Sequence, residues 1–524
     1  MTASRGIARA GLIVTAAFFV ARVLGSVRLI VIGAQFGASA DLDAFLAAFR
    51  IPDFIFQLVA AGALSSALIP VISGLLATDE EARAWRVAST VATLMLAVLL
   101  VLAVFVAIFA PVLVPVITAN FTPEQTQKTI ELTRVMLFSP ILLACGALAT
   151  SLLNAKGRFT AAAIAPIVYN LAIIFGAVFL APSMGVLGLA VGVVIGAAGH
   201  FLVQLPPLRR IGFRYKPGVD LGDPDAREAL LLMVPRAIGL AASQLTFLVA
   251  ISVSSGLGVG AVTAFTFAFS IFQLPIGLVG VPLGVVTLPS MARELALGEV
   301  ERFLALVRQA VRLILFVMIP LTGLAIITRG GVVQLLFDYG RMDDEALERT
   351  AQTLGWLLLA ITSESVIAIL ARAFYAGRDT ATPVAAAVVA VAINVSLSVA
   401  LAGPFGLPGI GLAITVGSWA EMTILIVILW YRRPTFDPGQ LVRFGGVALL
   451  TGLLATGAAF LVGQGLVALV GDEPSKPILL VELALMGIVG GLVYAALATA
   501  LRIPEMGTIW RLTISLVRRR TISS

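Results

Sequence analysis

Long apolar stretches alternate with short polar connections along the whole chain. A helix that crosses a bilayer needs about 20 mostly apolar residues. Fourteen stretches meet that length: 10–36, 43–74, 88–118, 130–153, 160–181, 183–206, 228–255, 259–292, 305–328, 347–375, 381–403, 407–431, 440–470 and 477–501. Lipid offers no partners to backbone N–H and C=O groups, so such segments must satisfy them within helices. Composition excludes the alternatives. Of 524 residues, 60% are hydrophobic and 12% charged, against about 45–50% and about 25% for a soluble domain. A net charge of +7 therefore points to cations gathered on one membrane face and not to a nucleic-acid partner. One cysteine, Cys145, excludes an intramolecular disulfide, and one histidine, His200, leaves no His/Cys metal cluster. The expected fold is an all-α polytopic membrane protein of about 14 transmembrane helices. The first stretch is expected to stay as a span, since it is too long for a signal peptide and carries arginines.

Lys and Arg orient the spans. Connections on the N-terminal side hold 25 of the 35 cations, the opposite side holds six (Lys128, Arg134, Arg329, Arg341, Arg349 and Lys476), and four lie within spans. Cytoplasmic loops collect Lys and Arg, so both termini are expected in the cytoplasm, as an even span count requires. Basic stretches such as Arg209-Arg210 and the tail Arg518-Arg519-Arg520 then serve topology and contact with anionic lipid. Only a short tail follows the last span, so no C-terminal partner domain is expected.

Two landmarks suggest an internal repeat. Pro70, closing span 2 in Leu68-Ile69-Pro70, and Pro289, closing span 8 in Leu288-Pro289-Ser290, are 219 residues apart. The loops after spans 4 and 10 carry Lys156-Gly157-Arg158 and Ala376-Gly377-Arg378, with the Gly-Arg pairs 220 apart. Six spans per unit give both copies one orientation, an architecture common among transporters. The expected division is an N-lobe at 1–208 (spans 1–6), a C-lobe at 209–435 (spans 7–12), and 436–524 with spans 13–14 and a cytoplasmic tail.

An ionisable side chain at mid-bilayer costs at least about 2.5–3.5 kcal/mol, so each needs a reason. Arg22 lies roughly 18 Å into span 1 at 1.5 Å per residue, too deep for snorkelling. Arg28 is six residues further on, about 120° around the helix, and a bend at Gly25 or Gly33 would bring the two together. In span 2, Asp43 and Arg50 share a face, while Arg50 and Asp53 are close enough to pair. Arg236 follows Pro235 near a span end, where snorkelling accounts for it. Glu364, Glu421 and Glu482 sit singly in spans 10, 12 and 14, each a proton or cation site or a hydrogen-bonded carboxyl. His200, at the end of span 6, reads as interfacial. Guanidinium suits phosphate and carboxylate, so an arginine-lined N-terminal half favours an anionic cargo.

Motifs along essentially the whole chain resemble the MurJ/MviN family, the lipid II flippases of the MOP transporter superfamily. They include Ala21-Arg22-Val23-Leu24-Gly25 with Arg28, Phe36-Gly37-Ala38, Asp43-Ala44-Phe45, Phe49-Arg50-Ile51-Pro52 and Gly62-Ala63-Leu64-Ser65. Asn154-Ala155 with Arg158-Phe159, Ala165-Pro166-Ile167-Val168-Tyr169-Asn170, Phe337-Asp338-Tyr339-Gly340-Arg341 and Phe374-Tyr375-Ala376 with Thr382-Pro383 continue the match. The resemblance implies transfer of undecaprenyl-diphosphate-linked peptidoglycan precursor from inner to outer leaflet by alternating access. It also implies a bacterial cytoplasmic membrane, with cell-wall synthesis enzymes as candidate partners and spans 13–14 as a lipid-tail groove. Arg22, Arg28, Asp43 and Arg50 fall on the family's substrate-binding positions. The chain departs from the pattern at Phe56-Gln57, Ala61 and Phe269-Ser270, where the family carries charged residues. Ala250-Ile251 stand where the family has an acid associated with sodium and an arginine. Asn394 and Ser398 match its polar pair and are the candidate cation site; a monovalent cation or the membrane potential is the candidate energy source, and no other cofactor is expected.

Three further readings compete. The lost charges favour another lipid-linked saccharide, another anionic amphiphile, or a degenerate scaffold that transports nothing. A membrane enzyme would need clustered carboxylates. The best set, Asp338, Asp343, Asp344, Glu345 and Glu348, reads better as a solvated helix start with acids in its first turn.

Overall fold

The computed structural model describes the backbone of residues 2–507 apart from Gly62, Ala119, Asp472 and Glu473. Within that range it describes the side chains except those of residues 2–15, 18, 60–67, 232, 234–243 and 470. The Gly62-Ala63-Leu64-Ser65 side chains, the Arg236 side chain and the Arg518–Arg520 tail lie outside the described residues.

No strand occurs among the described residues, as hydrocarbon surroundings require of an open chain. One compact unit comprises Met1–Thr266 with Tyr339–Ala346. It contains α1 (Thr2–Phe36), α2 (Ala40–Phe56), α3 (Ala63–Ala77), α4 (Glu81–Ile117), α5 (Pro123–Met136), α6 (Phe138–Ala155), α7 (Phe159–Phe175), α8 (Ala181–Met184), α9 (Val186–Leu202), α10 (Leu205–Arg210) and α11 (Pro224–Ser254), and the start of α12 (Ala261–Pro275). The other comprises Phe267–Asp338 with Leu347–Ser524. It holds the rest of α12, then α13 (Val281–Ala296), α14 (Val300–Phe337), most of α15 (Asp344–Leu358), α16 (Ile361–Ala376), α17 (Ala381–Phe405), α18 (Leu407–Arg432), α19 (Pro438–Val470) and α20 (Lys476–Ala500).

Eleven helices among the described residues are long and apolar enough to cross a membrane. α15 and α16, bent by 44° at their junction, make a twelfth if counted together. The stretches 43–74 and 228–255 are helical as well, but their described apolar parts, Leu68–Ala77 and Gln244–Ser254, are shorter than a span. The first of them is interrupted by a π-helical turn at Gln57–Ala61.

Local chemistry starts the helices where the sequence turns polar. Thr122 and Gln125 close a reciprocal capping box at α5 with Pro123 in the first turn. Asp223 and Asp437 cap α11 and α19, each followed by proline. Asp223 also receives Arg83 of α4 at 2.9 Å, and Asp225 pairs with the same guanidinium at 2.6 Å, so the start of α11 is clamped to α4. Small residues let helices approach in lipid. A Cβ on Gly196 of α9 would lie 2.8 Å from the Tyr169 carbonyl of α7, and one on Gly192 would lie 3.0 Å from Gly176 Cα. In the second unit α19 and α20 pack on each other and on α14. There the Tyr494 hydroxyl donates to the Phe316 carbonyl at 2.8 Å.

Backbone irregularities recur at a nearly constant separation. π-helical turns occupy Gln57–Ala61 and Ile276–Gly280, 219 residues apart. Glu80 N donates to Leu75 O, and Glu299 N to Glu294 O, both at 2.9 Å and again 219 apart. The turn after α6 joins Arg158 N to Leu153 O at 2.8 Å, and that after α16 joins Asp379 N to Phe374 O at 3.0 Å, 221 apart. Gly185 and Gly406, also 221 apart, have φ/ψ of 60°/−144° and 61°/−143°, a conformation open to glycine.

Two outcomes follow for stability. Gly196→Leu forces α9 away from α7 and is expected to cost about 1–3 kcal/mol, read as a lower unfolding temperature in detergent. Asp223 is held below the usual carboxylate range, first by its hydrogen bonds from Arg83. For Asp379, burial pushes upward, but hydrogen bonds from Thr382 and the Arg432 pair prevail and bring it from 3.8 down to about 2. A depressed carboxylate stabilises the fold above its unfolded value and loses that contribution as pH falls through the folded one. Thermal stability should therefore decline between about pH 4 and pH 2, with a shallower decline in Asp379→Asn.

Candidate functional site

α1 carries Arg22, exposed, and Arg28, partly buried. It packs along α7, where Asn170 Nδ2 donates to the Ala21 carbonyl at 3.4 Å and to Pro166 O at 2.9 Å. That bond fixes α1 one residue before Arg22, which gives the Asn170 of the motif a physical task.

Arg50 and Asp53 flank Pro52 inside α2. Proline has no N–H for the Ala48 carbonyl, and the Thr133 hydroxyl of α5 stands 3.5 Å from that oxygen. Arg50 pairs with Asp53 at 3.8 Å, and its guanidinium lies 3.7 Å from the centre of the Phe247 ring of α11. Its Nε is buried without a hydrogen-bond partner among the described residues. Arg28 lies within electrostatic range of Arg50, Asp53 and Tyr169, and Asp53 within range of Arg50 and Tyr169. The fold thus gathers cations from α1 and α2 around one carboxylate, with Tyr169 and Phe247 as aromatic walls. Sequence reasoning missed both aromatics. Tyr169 belonged to a quoted motif, but no pattern in α11 marks Phe247.

Asp43 is fully buried. One carboxylate oxygen accepts from Gly260 N at 2.7 Å, and the other from Thr263 N at 2.8 Å and Thr263 Oγ1 at 2.7 Å. A carboxylate is thereby placed on the N-terminus of α12, where the free N–H groups and the helix dipole both favour it. The surroundings are closely fitted. Gly260 has φ +79°, and a Cβ there would lie 2.7 Å from Ala38 O. Arg341 N donates to Ala34 O at 2.9 Å, and Gly340 (φ +63°) packs against the same carbonyl.

The second unit has its own buried polar groups. Ser398 Oγ donates to Asn394 Oδ1 at 3.1 Å within α17, both residues buried. Glu364 of α16 accepts from Ser418 Oγ of α18 at 2.8 Å, and Ser363 Oγ donates to Ser418 Oγ at 3.0 Å. Glu421 lies within electrostatic range of Glu364. His200 is partly buried on α9. Of the acidic loop, Asp343 accepts from Ala346 N at 2.8 Å at the start of α15, and Asp338 pairs with Lys476 at 3.4 Å. Those are structural duties. No group of three His, Cys, Asp or Glu residues among the described ones could hold a metal ion.

A family model described as "Lipid II flippase MurJ" matches residues 32–471. A "Probable lipid II flippase MurJ" of Vibrio cholerae is 27% identical over 470 residues, covering 87% of this chain and 89% of that protein. A "Lipid II flippase MurJ" of Burkholderia cenocepacia is 29% identical over 464 residues, covering 85% and 89%. Among solved structures, "Lipid II flippase MurJ, inward closed conformation" superposes with a TM-score of 0.78 at 20% identity, covering 94% of this chain and 99% of that one. An inward-facing multidrug resistance MATE family transporter of the MOP superfamily gives a TM-score of 0.63 at 17% identity, covering 79% and 94%.

Asp43→Ala strands three buried donors and is expected to lower stability by about 3 kcal/mol or more. Asp43→Asn keeps one acceptor and should cost roughly half of that. Thermal unfolding in detergent separates the two.

Proposed function

Because this chain belongs to the MurJ lipid II flippase family, we infer that it carries lipid II from the inner to the outer leaflet of a bacterial cytoplasmic membrane by alternating access. It is a transporter, and no bond of the cargo is made or broken. The observation that carries the reading to the residues is the Arg28–Arg50–Asp53 cluster, with an Arg50 Nε left without a partner. The diphosphate diester of a lipid-linked saccharide bears two negative charges. Arg22, Arg28 and Arg50 less Asp53 give a net charge that balances them. We assign the three arginines to the diphosphate, with each charge-assisted contact contributing about 1.5–3 kcal/mol. Phe247, its ring centre 3.7 Å from the Arg50 guanidinium, helps to position it.

The recurrence of π turns, capping bonds and glycine conformations at 219–221 residues supports two parallel six-helix lobes, 1–208 and 209–435. With spans 13–14 added, the reading has fourteen helices. α19 and α20, packed on α14, are then the element that accommodates the lipid tail. The Asp43 contacts join the start of span 2 to the start of span 8, both at the arginine-poor face. We read Asp43 as the substrate-site residue that acts by position: it latches the outer end shut while cargo enters from the cytoplasm. Asn394 and Ser398 are the proposed cation site. To serve there, the Ser398 hydroxyl must turn away from Asn394 Oδ1 and free that oxygen.

Translocation of lipid II in proteoliposomes tests the reading. Arg28→Ala and Arg50→Ala should each lower transport by on the order of tenfold or more. Arg302→Ala, at an exposed residue paired with Glu299 at 3.5 Å, should not. Normal transport by both site variants, or none by the folded native chain beside an active control, would overturn it.

A further inference from the structure

A second basic site lies in the N-terminal unit, on helices that carry none of the cargo residues. A cavity of about 560 Å³ opens between α4, α6, α9 and α10. Met95, Cys145, Leu148 and Leu205 form its walls, and Arg209 and Arg214 stand at its mouth. Both arginines are exposed and make no ion pair or side-chain hydrogen bond among the described residues. On two of the helices that line it, Val98 of α4 and Leu202 of α9 are turned outward at 49% and 56% exposure, and in a membrane such side chains face hydrocarbon.

The chain fixes the mouth of this cavity. After α10 it runs back along α4, where three hydroxyls receive its backbone. Lys216 N donates to Ser89 Oγ at 3.4 Å, Gly218 N to Thr93 Oγ1 at 3.4 Å and Asp220 N to Thr90 Oγ1 at 3.2 Å. The Phe213 ring is buried edge-on to Trp85, with centroids 5.6 Å apart. The Tyr215 hydroxyl meets Thr93 Oγ1 at 3.0 Å. Arg214 sits between those two anchored rings and is therefore held over the opening. The connection lies on the arginine-rich face, which charge bias assigns to the cytoplasm.

We propose that this cavity binds one anionic phospholipid of the cytoplasmic leaflet, with its phosphate between Arg209 and Arg214 and an acyl chain along Met95, Cys145 and Leu148. Two uncompensated arginines select a negative head group. A mostly apolar lining selects a lipid over a soluble phosphate, because an acyl chain gains by leaving water there and a small free anion does not. Bound there, the lipid braces the strap that leads to Asp223 and the start of α11.

Cys145, the one cysteine of the chain, lines the cavity and reports on its occupancy. The full chain in phosphatidylcholine nanodiscs, with and without phosphatidylglycerol, is treated with N-ethylmaleimide and the adduct is followed by intact mass. Phosphatidylglycerol should slow alkylation of the native chain by roughly thirtyfold, the scale set by two arginines at an anionic head group. It should not slow the Arg209→Gln/Arg214→Gln variant, whose changed side chains are exposed. Arg302→Gln/Arg443→Gln, elsewhere on the basic face, should behave as native. Native mass spectrometry of retained phosphatidylglycerol makes the same comparison without the thiol. Equal behaviour in both lipids, protection that survives in the Arg209/Arg214 variant, or equal protection by glycerol 3-phosphate alone would overturn the proposal. None of these readouts depends on transport, so the cargo assignment is tested separately.

Discussion

Hydrocarbon cannot hydrogen-bond, and every polar atom placed in it must find its partner inside the protein. The backbone meets this demand with helices. The side chains that enter the membrane meet it with specific contacts, and those contacts are where the molecule departs from a plain bundle. Asp43 is the clearest instance. It is fully buried, yet its two oxygens accept three bonds from Gly260 and Thr263. The donors are free only because α12 begins there. The carboxylate and the helix start each make the other affordable in lipid.

The same constraint shapes the cationic cluster differently. Arg28 and Arg50 have one carboxylate between them, Asp53, and an aromatic face, Phe247. The balance of charge is left positive, and one Arg50 nitrogen is left without a hydrogen-bond partner among the described residues. A fold that satisfies Asp43 so completely leaves this cluster with more cations than anions, which is why the proposed cargo is an anionic one. Glu364, bonded to Ser418, and Asn394, bonded to Ser398, belong with Asp43 as groups already satisfied by their neighbours. Arg209 and Arg214, which make no ion pair among the described residues, belong with the incomplete set.

Much of this was legible in the chain. Apolar length gave the helices, while caps such as Thr122 and Asp223 came into view only with the structure. Pro70/Pro289 and the two Gly-Arg pairs suggested a repeat, and the π turns and capping bonds recur at nearly the same separation. The π turns themselves left no clear trace, since five residues of Gln57–Ala61 read as ordinary helix until packing inserts the extra residue. The pairing of Arg50 with Asp53 was visible because three residues along a helix is a contact distance. Phe247 was not, being about 200 residues away along the chain.

What the sequence determined by itself is therefore whatever depends on neighbours within a turn or two and on total apolar length. That covers the helical class, the membrane, the basic face and the presence of expensive arginines in the first two spans. Tertiary structure alone decided which distant groups those residues meet. Asp43 finds the start of α12 some 217 residues on, and Glu364 finds Ser418. Arg214 is held over a cavity by a strap bonded to α4. Helical periodicity specifies a face but not its partner, because any apolar face fits another to first order. The partner is selected by the few polar atoms that would otherwise be stranded in lipid, and only the folded chain brings those together.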